Sequence, residues 1–180
     1  MDPAGAGTTT SRPEGDAVRT DIDPADPPRL RRECVALIRN GHGAVLLVKP
    51  NYKSGWQLPG GHAQEGEPSA VAAARSLKGE TGLVRQLSHV LLVDDVPASD
   101  EERVAAGIAL VFDGGTLTND SLVKLPEEAR EGLSGVKWVS PQGIDGYTHS
   151  CEGRRIRAAI SCADQGMRAP AHTLGSPAPA

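Results

Sequence analysis

Hydrophobic and polar positions change their rhythm along the chain, and each change marks an element. From Glu33 to Arg39 the apolar residues Val35 and Leu37 alternate with polar ones, with Ile38 off phase, and "NGHG" then precedes the run "AVLLVK" from Ala44 to Lys49. That pattern predicts a strand, a turn and a buried strand. The loop "PNYKSG" leads to a short strand over Trp56 to Leu58, ended by Pro59, Gly60 and Gly61. From Pro68 the composition turns to alanine and leucine until Gly82, which predicts one helix of about four turns. "LSHVLLVDD", "AAGIALVFD" and "GVKWVS" read as further strands. A second helix is expected over Arg154 to Asp164, where Ile156, Ala159, Ile160 and Ala163 share one face. No internal repeat interrupts the series. Strands mixed with two well-separated helices predict an α/β fold, with helices packed on a mixed sheet.

The two ends follow another pattern. Residues 1–28 are rich in Pro, Gly, Asp and Thr and nearly free of large apolar side chains, so burial cannot offset the entropy of ordering them. Residues 165–180 read the same way. The expected organisation is therefore a single domain over residues 29–164 between two disordered tails.

Charge and cysteine content narrow the function. A formal net charge of −4 with no long basic run argues against a dedicated nucleic-acid binder. An anionic small substrate would then need a metal ion or local cations. Cys34, Cys151 and Cys162 form no CxxC pair and are odd in number, which fits plain thiols in a reducing compartment. No apolar run approaches the roughly 20 residues that span a bilayer, and the first residues lack a signal-peptide pattern. The expectation is a soluble cytoplasmic protein without a membrane partner. Any aromatic stacking on a base must draw on Tyr52, Trp56, Phe112 and Trp138, each of which suits a core or rim position better than a stacking platform.

The candidate chemistry lies in "GGHAQEGEPSAVAAARSLKGETGL", Gly60 to Leu83. Two glycines ahead of a helix make either a simple turn or a cradle in which bare backbone and free helix amides meet phosphate oxygens. Glu67, Arg75, Glu80 and Gly82 follow at set offsets. The stretch resembles the Nudix box, whose glycine, first glutamate, Arg-Glu-aliphatic triplet, paired glutamates, glycine and final aliphatic fall on Gly61, Glu67, Arg75, Ser76, Leu77, Gly79, Glu80, Gly82 and Leu83. Seven of these nine positions match, with spacing intact. "GWQLPGG" from Gly55 and "KWVSPQGI" from Lys137 are similar to the family's approach strand and late strand, so the resemblance covers Arg29 to Asp164. It implies a Nudix-like α/β/α sandwich with a mixed central sheet. It also implies Mg²⁺- or Mn²⁺-dependent hydrolysis of a nucleoside diphosphate linked to another moiety, and a possible homodimer.

The box departs from the family pattern where metal is bound. Glutamates at i, i+3 and i+4 of a helix lie side by side and hold a hard cation through oxygen. Here those positions are Ser76, Gly79 and Glu80, and the upstream glutamate of "GGxxE" is Gln64 with Glu65 beside it. By the resemblance, Glu80 is the surviving metal ligand, the alternative being an exposed helix carboxylate. Glu67 is a second carboxylate near the metal or a residue favoured by the helix dipole. The carbonyl of Gly60 is the backbone ligand, and Gly61 leaves room for substrate. Arg75 pairs with Glu67 or Glu80, or reaches a phosphate. His62 contacts phosphate or faces solvent. Glu128, with Glu127 beside it, is the preferred distal carboxylate, against the reading of a solvated face that also fits Asp94, Asp95, Asp100, Glu101, Glu102 and Glu131. Three functions fit the reduced box: a hydrolase with altered metal use, an inactive nucleotide-binding protein, and a biosynthetic enzyme running non-hydrolytic chemistry in the same pocket. The leaving group is not written in the box, because loops outside it set selectivity.

Overall fold

The computed structural model describes residues 30–98, 105–120 and 123–178. The first tail and the loop acids Asp100, Glu101 and Glu102 lie outside the described residues.

Strand β1 (Arg31–Asn40) is the axis of a seven-stranded mixed sheet. Its residues 34–38 are all buried, because β1 is covered on both faces. Along one edge it runs parallel to β5 (Gly107–Leu117), from Arg31 opposite Gly107 to Asn40 opposite Leu117. Its other edge is shared. Near the turn it meets β2 (Val45–Pro50) at Arg39 and Val45, and at the far end it pairs with β3 (Gly60–His62). β6 (Leu133–Val139) extends the sheet beyond β2, and β4 (His89–Val96) extends it beyond β5, both antiparallel.

The alternation along β1 sends its side chains into two cores. Val35 and Leu37 pack with Ile156 and Ala159 of helix α2 (Ser150–Asp164). Cys34, Ala36 and Ile38 pack with Ala72, Ala73 and Leu77 of helix α1 (Ser69–Thr81). Two helices on opposite faces of one mixed sheet make the expected α/β/α sandwich. Among the described residues no helix is long and apolar enough to cross a membrane.

Three details differ from the sequence reading. Trp56 to Leu58 is not a full strand, since only Gln57 bridges to Val48. The pairing lies instead at Gly60–His62, where the glycines were expected to break it. A side chain on Gly60, at φ 148°, would meet the Cys34 carbonyl oxygen at 2.3 Å and the Val35 Cα at 2.5 Å, so only glycine brings this backbone against β1. Helix α2 starts at Ser150, ahead of the expected Arg154, because Gly153 conceals its first turn in the sequence while packing closely against Thr148 and Asp145. The stretch from Gln165, read as a disordered tail, is ordered through Ala178. Strand β7 (Ala169–Pro170) pairs with His89 and Val90 on the outer edge of β4, and β8 (His172–Thr173) and β9 (Ser176–Pro177) form a small hairpin. Backbone pairing to an edge strand requires no apolar pattern, which is why composition misread this segment.

Candidate active site

The box occupies β3, a loop and α1, and polar contacts hold the three together. Arg32, on β1, donates from Nη1 to Ser69 Oγ at 3.1 Å and from Nη2 to the carbonyl oxygen of Glu67 at 3.0 Å, which fixes the start of α1. This clamp had no signal in the sequence, where Arg32 is one of two adjacent arginines at the start of a strand. Arg75 settles on Glu67. Its Nε donates to Oε1 at 2.8 Å and its Nη2 to Oε2 at 2.9 Å, a two-pronged pairing that also reaches the His62 carbonyl at 3.2 Å. The backbone N–H of Gln64 adds a further bond to Glu67 at 2.9 Å. Bonding to Arg75 first, and then to the Gln64 amide, lowers the Glu67 carboxyl to about 2. Glu67 is therefore charged at any ordinary pH, and its charge holds the loop in shape.

Glu80 meets the same loop from the other end of α1. Its Oε2 accepts the N–H of Gly60 at 2.7 Å. Burial raises its carboxyl to about 7, against the weaker opposing pull of that amide. Gly60 and Glu80, two of the expected metal ligands, thus share one corner of the site. Ser76 stands beneath Gly61, with its Oγ 2.8 Å from where a side chain on Gly61 would begin. Gly79 faces open space, with nothing within 4 Å of a side chain placed there.

Glu128 and His62 have surroundings of their own. Glu128 is exposed on a 3₁₀ turn, Glu128–Glu131, that precedes β6. His62 pairs through Nε2 with Arg31 Nη1 at 3.0 Å, and burial followed by the Arg31 charge lowers its pKa. Among the described residues no group of three or more His, Cys, Asp or Glu side chains is gathered to hold a metal ion. The donor set of one carboxylate and one backbone carbonyl does not fit an ion held by side chains alone. It does fit Mg²⁺ or Mn²⁺ arriving with a diphosphate, since such ions are commonly bound through one or two carboxylates plus substrate phosphates and water.

The aromatic candidates separate by burial. Phe112 is wholly buried and belongs to the α1-side core, whereas Tyr52 is 74% exposed. Trp56 lies partly buried beside the α2-side core, edge-on to Tyr147 with ring centroids 6.1 Å apart, and Lys137 Nζ sits 4.4 Å from the Tyr147 ring centre.

A charged cluster on the α2 side was also missed. The Arg155 side chain, 8% exposed, donates from Nε to Asp94 at 2.8 Å and from Nη1 to Glu152 at 2.9 Å and Glu33 at 3.4 Å. It ties α2 to β1 and β4 just beside β3. In the sequence Arg154, Arg155 and Arg157 look alike, and nothing there marks the second as the buried one.

Layered sheet, glycine corner and box helix together define an α/β domain with its candidate site where β3 meets that helix, and comparison with known proteins assigns it. The NUDIX domain model matches residues 29–156, and the chain belongs to that family. A Bacillus subtilis (strain 168) protein described as a putative 8-oxo-dGTP diphosphatase is 31% identical over 105 residues, covering 58% of this chain and 63% of the relative. The chain thus spans a little under two thirds of that relative's length. Among solved structures, the MutT protein from Methanosarcina mazei Go1 is 27% identical with a TM-score of 0.60, covering 74% of this chain and 94% of that one. The NUDIX domain of Shewanella oneidensis NrtR, solved with ADP ribose, shares the fold at 19% identity and a TM-score of 0.60, over 78% of this chain and 93% of that one.

Proposed function

We propose that this protein hydrolyses the diphosphate linkage of a nucleoside diphosphate derivative, taken up with a divalent cation. The observation that carries the reading is the closed corner in which Glu80 bonds the Gly60 amide while Arg75 locks Glu67 across the loop. A site kept only for its fold would not need this half-buried carboxylate under a bare glycine backbone. Mg²⁺ or Mn²⁺ would supply charge neutralisation on the phosphates and an activated water, with Glu80 and the Gly60 carbonyl as its contacts on the chain. The chain's own residues do the rest. Gly61 leaves the place of a side chain to the Ser76 hydroxyl, Arg75 positions the loop through Glu67, and Arg31 and His62 place positive charge and a hydrogen-bonding ring at its edge.

The test is phosphate release from a panel of nucleoside triphosphates and diphosphate conjugates with Mg²⁺ or Mn²⁺. Turnover of one compound by the native protein, lost by a factor of about 100 or more in Glu80→Gln, is the expected result. Full activity in that variant, or turnover without added metal, would overturn the assignment.

A second reading is favoured by the missing carboxylates at positions 76 and 79: a domain that binds such a compound without cleaving it. The Shewanella domain solved with ADP ribose shows that a related fold accommodates a ligand of this class. Tight association by calorimetry, no product from the native protein, and turnover only in Ser76→Glu/Gly79→Glu would select this reading.

A further inference from the structure

Away from the glycine corner, the outer face of α1 and the following segment Val84–Leu87 enclose a cavity of about 350 Å³. Its floor is apolar, with Ala74 and the buried Leu87. Val71 and Val84 stand on its sides, 40% and 75% exposed. Its charged lining consists of Arg75, Lys78 and Arg85, with no carboxylate. Arg75 is already committed to Glu67. Lys78 and Arg85 enter no ion pair among the described residues, and the Arg85 Nε is buried without a hydrogen-bond partner. Burying a cationic N–H without an acceptor is costly, so the groove is shaped for an occupant that brings both apolar and anionic groups.

We propose that this occupant is the chain's own N-terminal stretch, Glu14 to Asp26. That stretch carries Glu14, Asp16, Asp21, Asp23 and Asp26 against Arg19 alone, a formal −4. Its two larger apolar residues, Val18 and Ile22, are four apart and match a groove whose walls are two valines. The point of entry is also right. Arg32 bonds Ser69, the first residue of α1, so the chain joins the fold beside the end of the groove that begins at Ala70. Three residues, Pro27, Pro28 and Arg29, link Asp26 to Leu30, and the four steps between them reach roughly 13 Å. A segment tethered so closely binds at an effective concentration in the millimolar range, and weak contacts suffice to hold it.

Trypsin cleavage after Arg19 in the full-length chain, read by mass as the appearance of the fragment ending there, tests the assignment. Docking shields this bond, so cleavage should be at least about tenfold faster in Lys78→Glu/Arg85→Glu than in the native protein at low salt. Salt at 0.5 M should accelerate cleavage of the native chain toward the variant's rate, because the pairing is at the surface and screened. Val84→Ser, which leaves every charge in place, should show an intermediate rate. Thermal midpoints close to native establish that the variants are folded. Equal cleavage rates in native and charge-reversed chains would overturn the proposal. Protection that grows with protein concentration would overturn it too, by assigning the groove to a second copy's segment.

Discussion

Glu80 shows what a carboxylate set against a glycine backbone costs the fold. Burial moves its pKa from 4.5 to about 7. The unfolded chain releases that proton near the ordinary value, while the fold keeps it to about 7. Between those two pH values the unfolded state binds fewer protons, so stability falls as pH rises and the contribution is gone above about 7. Without divalent cations, Glu80→Gln should match the native protein in urea unfolding near pH 4.5 and exceed it by about 2 kcal/mol at pH 8. A constant difference across that range would show that Glu80 ionises normally. The pair Arg75 and Glu67 behaves as a unit: Arg75→Ala and Glu67→Ala should each lower kcat/KM by a similar factor, and the double variant should fall no further than either. The sequence made these residues visible by their spacing in the box but left Arg75 with three possible partners. The choice depends on how the loop folds back over the helix, a distance that spacing does not encode. The raised pKa of Glu80 was equally hidden, since polar neighbours surround it in sequence and only the third dimension buries it.

At the scale of the elements, glycines with opposite purposes sit within one motif. Gly79 is in the last turn of α1 with open space around it, so Gly79→Ala should raise the melting temperature, with a gain of about 0.5–1 kcal/mol. Gly60→Ala should cost about 3 kcal/mol or more, because the methyl group meets the backbone of β1 and the torsion disfavours it. Calorimetric melting of the two variants separates these outcomes. Elements whose apolar residues repeat regularly, such as β2, β5 and α1, were legible from pattern. β3 was not, because it has two glycines and no apolar alternation, and it exists only through its pairing with β1.

For the molecule as a whole, Arg155 is the buried link between the α2 layer and the sheet. Arg155→Ala leaves Glu33, Asp94 and Glu152 without their shared cation and should destabilise the fold by about 3–5 kcal/mol in equilibrium unfolding. A loss below 1 kcal/mol would mean that water reaches the cluster and screens it. The layered architecture followed from the order of elements, but strand neighbours did not, and neither did the attachment of residues 169–170 to the outer edge of β4.

The parallel pairing of β1 and β5 also sets a timetable. The central strand of the sheet is among the first parts of the domain to leave the ribosome, yet its longest partner ends at Leu117 and the strand on its other flank is completed by β3 and β2. At about 5–20 residues per second, Cys34 to Ile38 wait several seconds for β5 to be made. During that interval the most buried stretch of the protein is unpaired along the edge that β5 will take, so a nascent chain halted before Leu117 is where chaperone dependence and misassembly should concentrate.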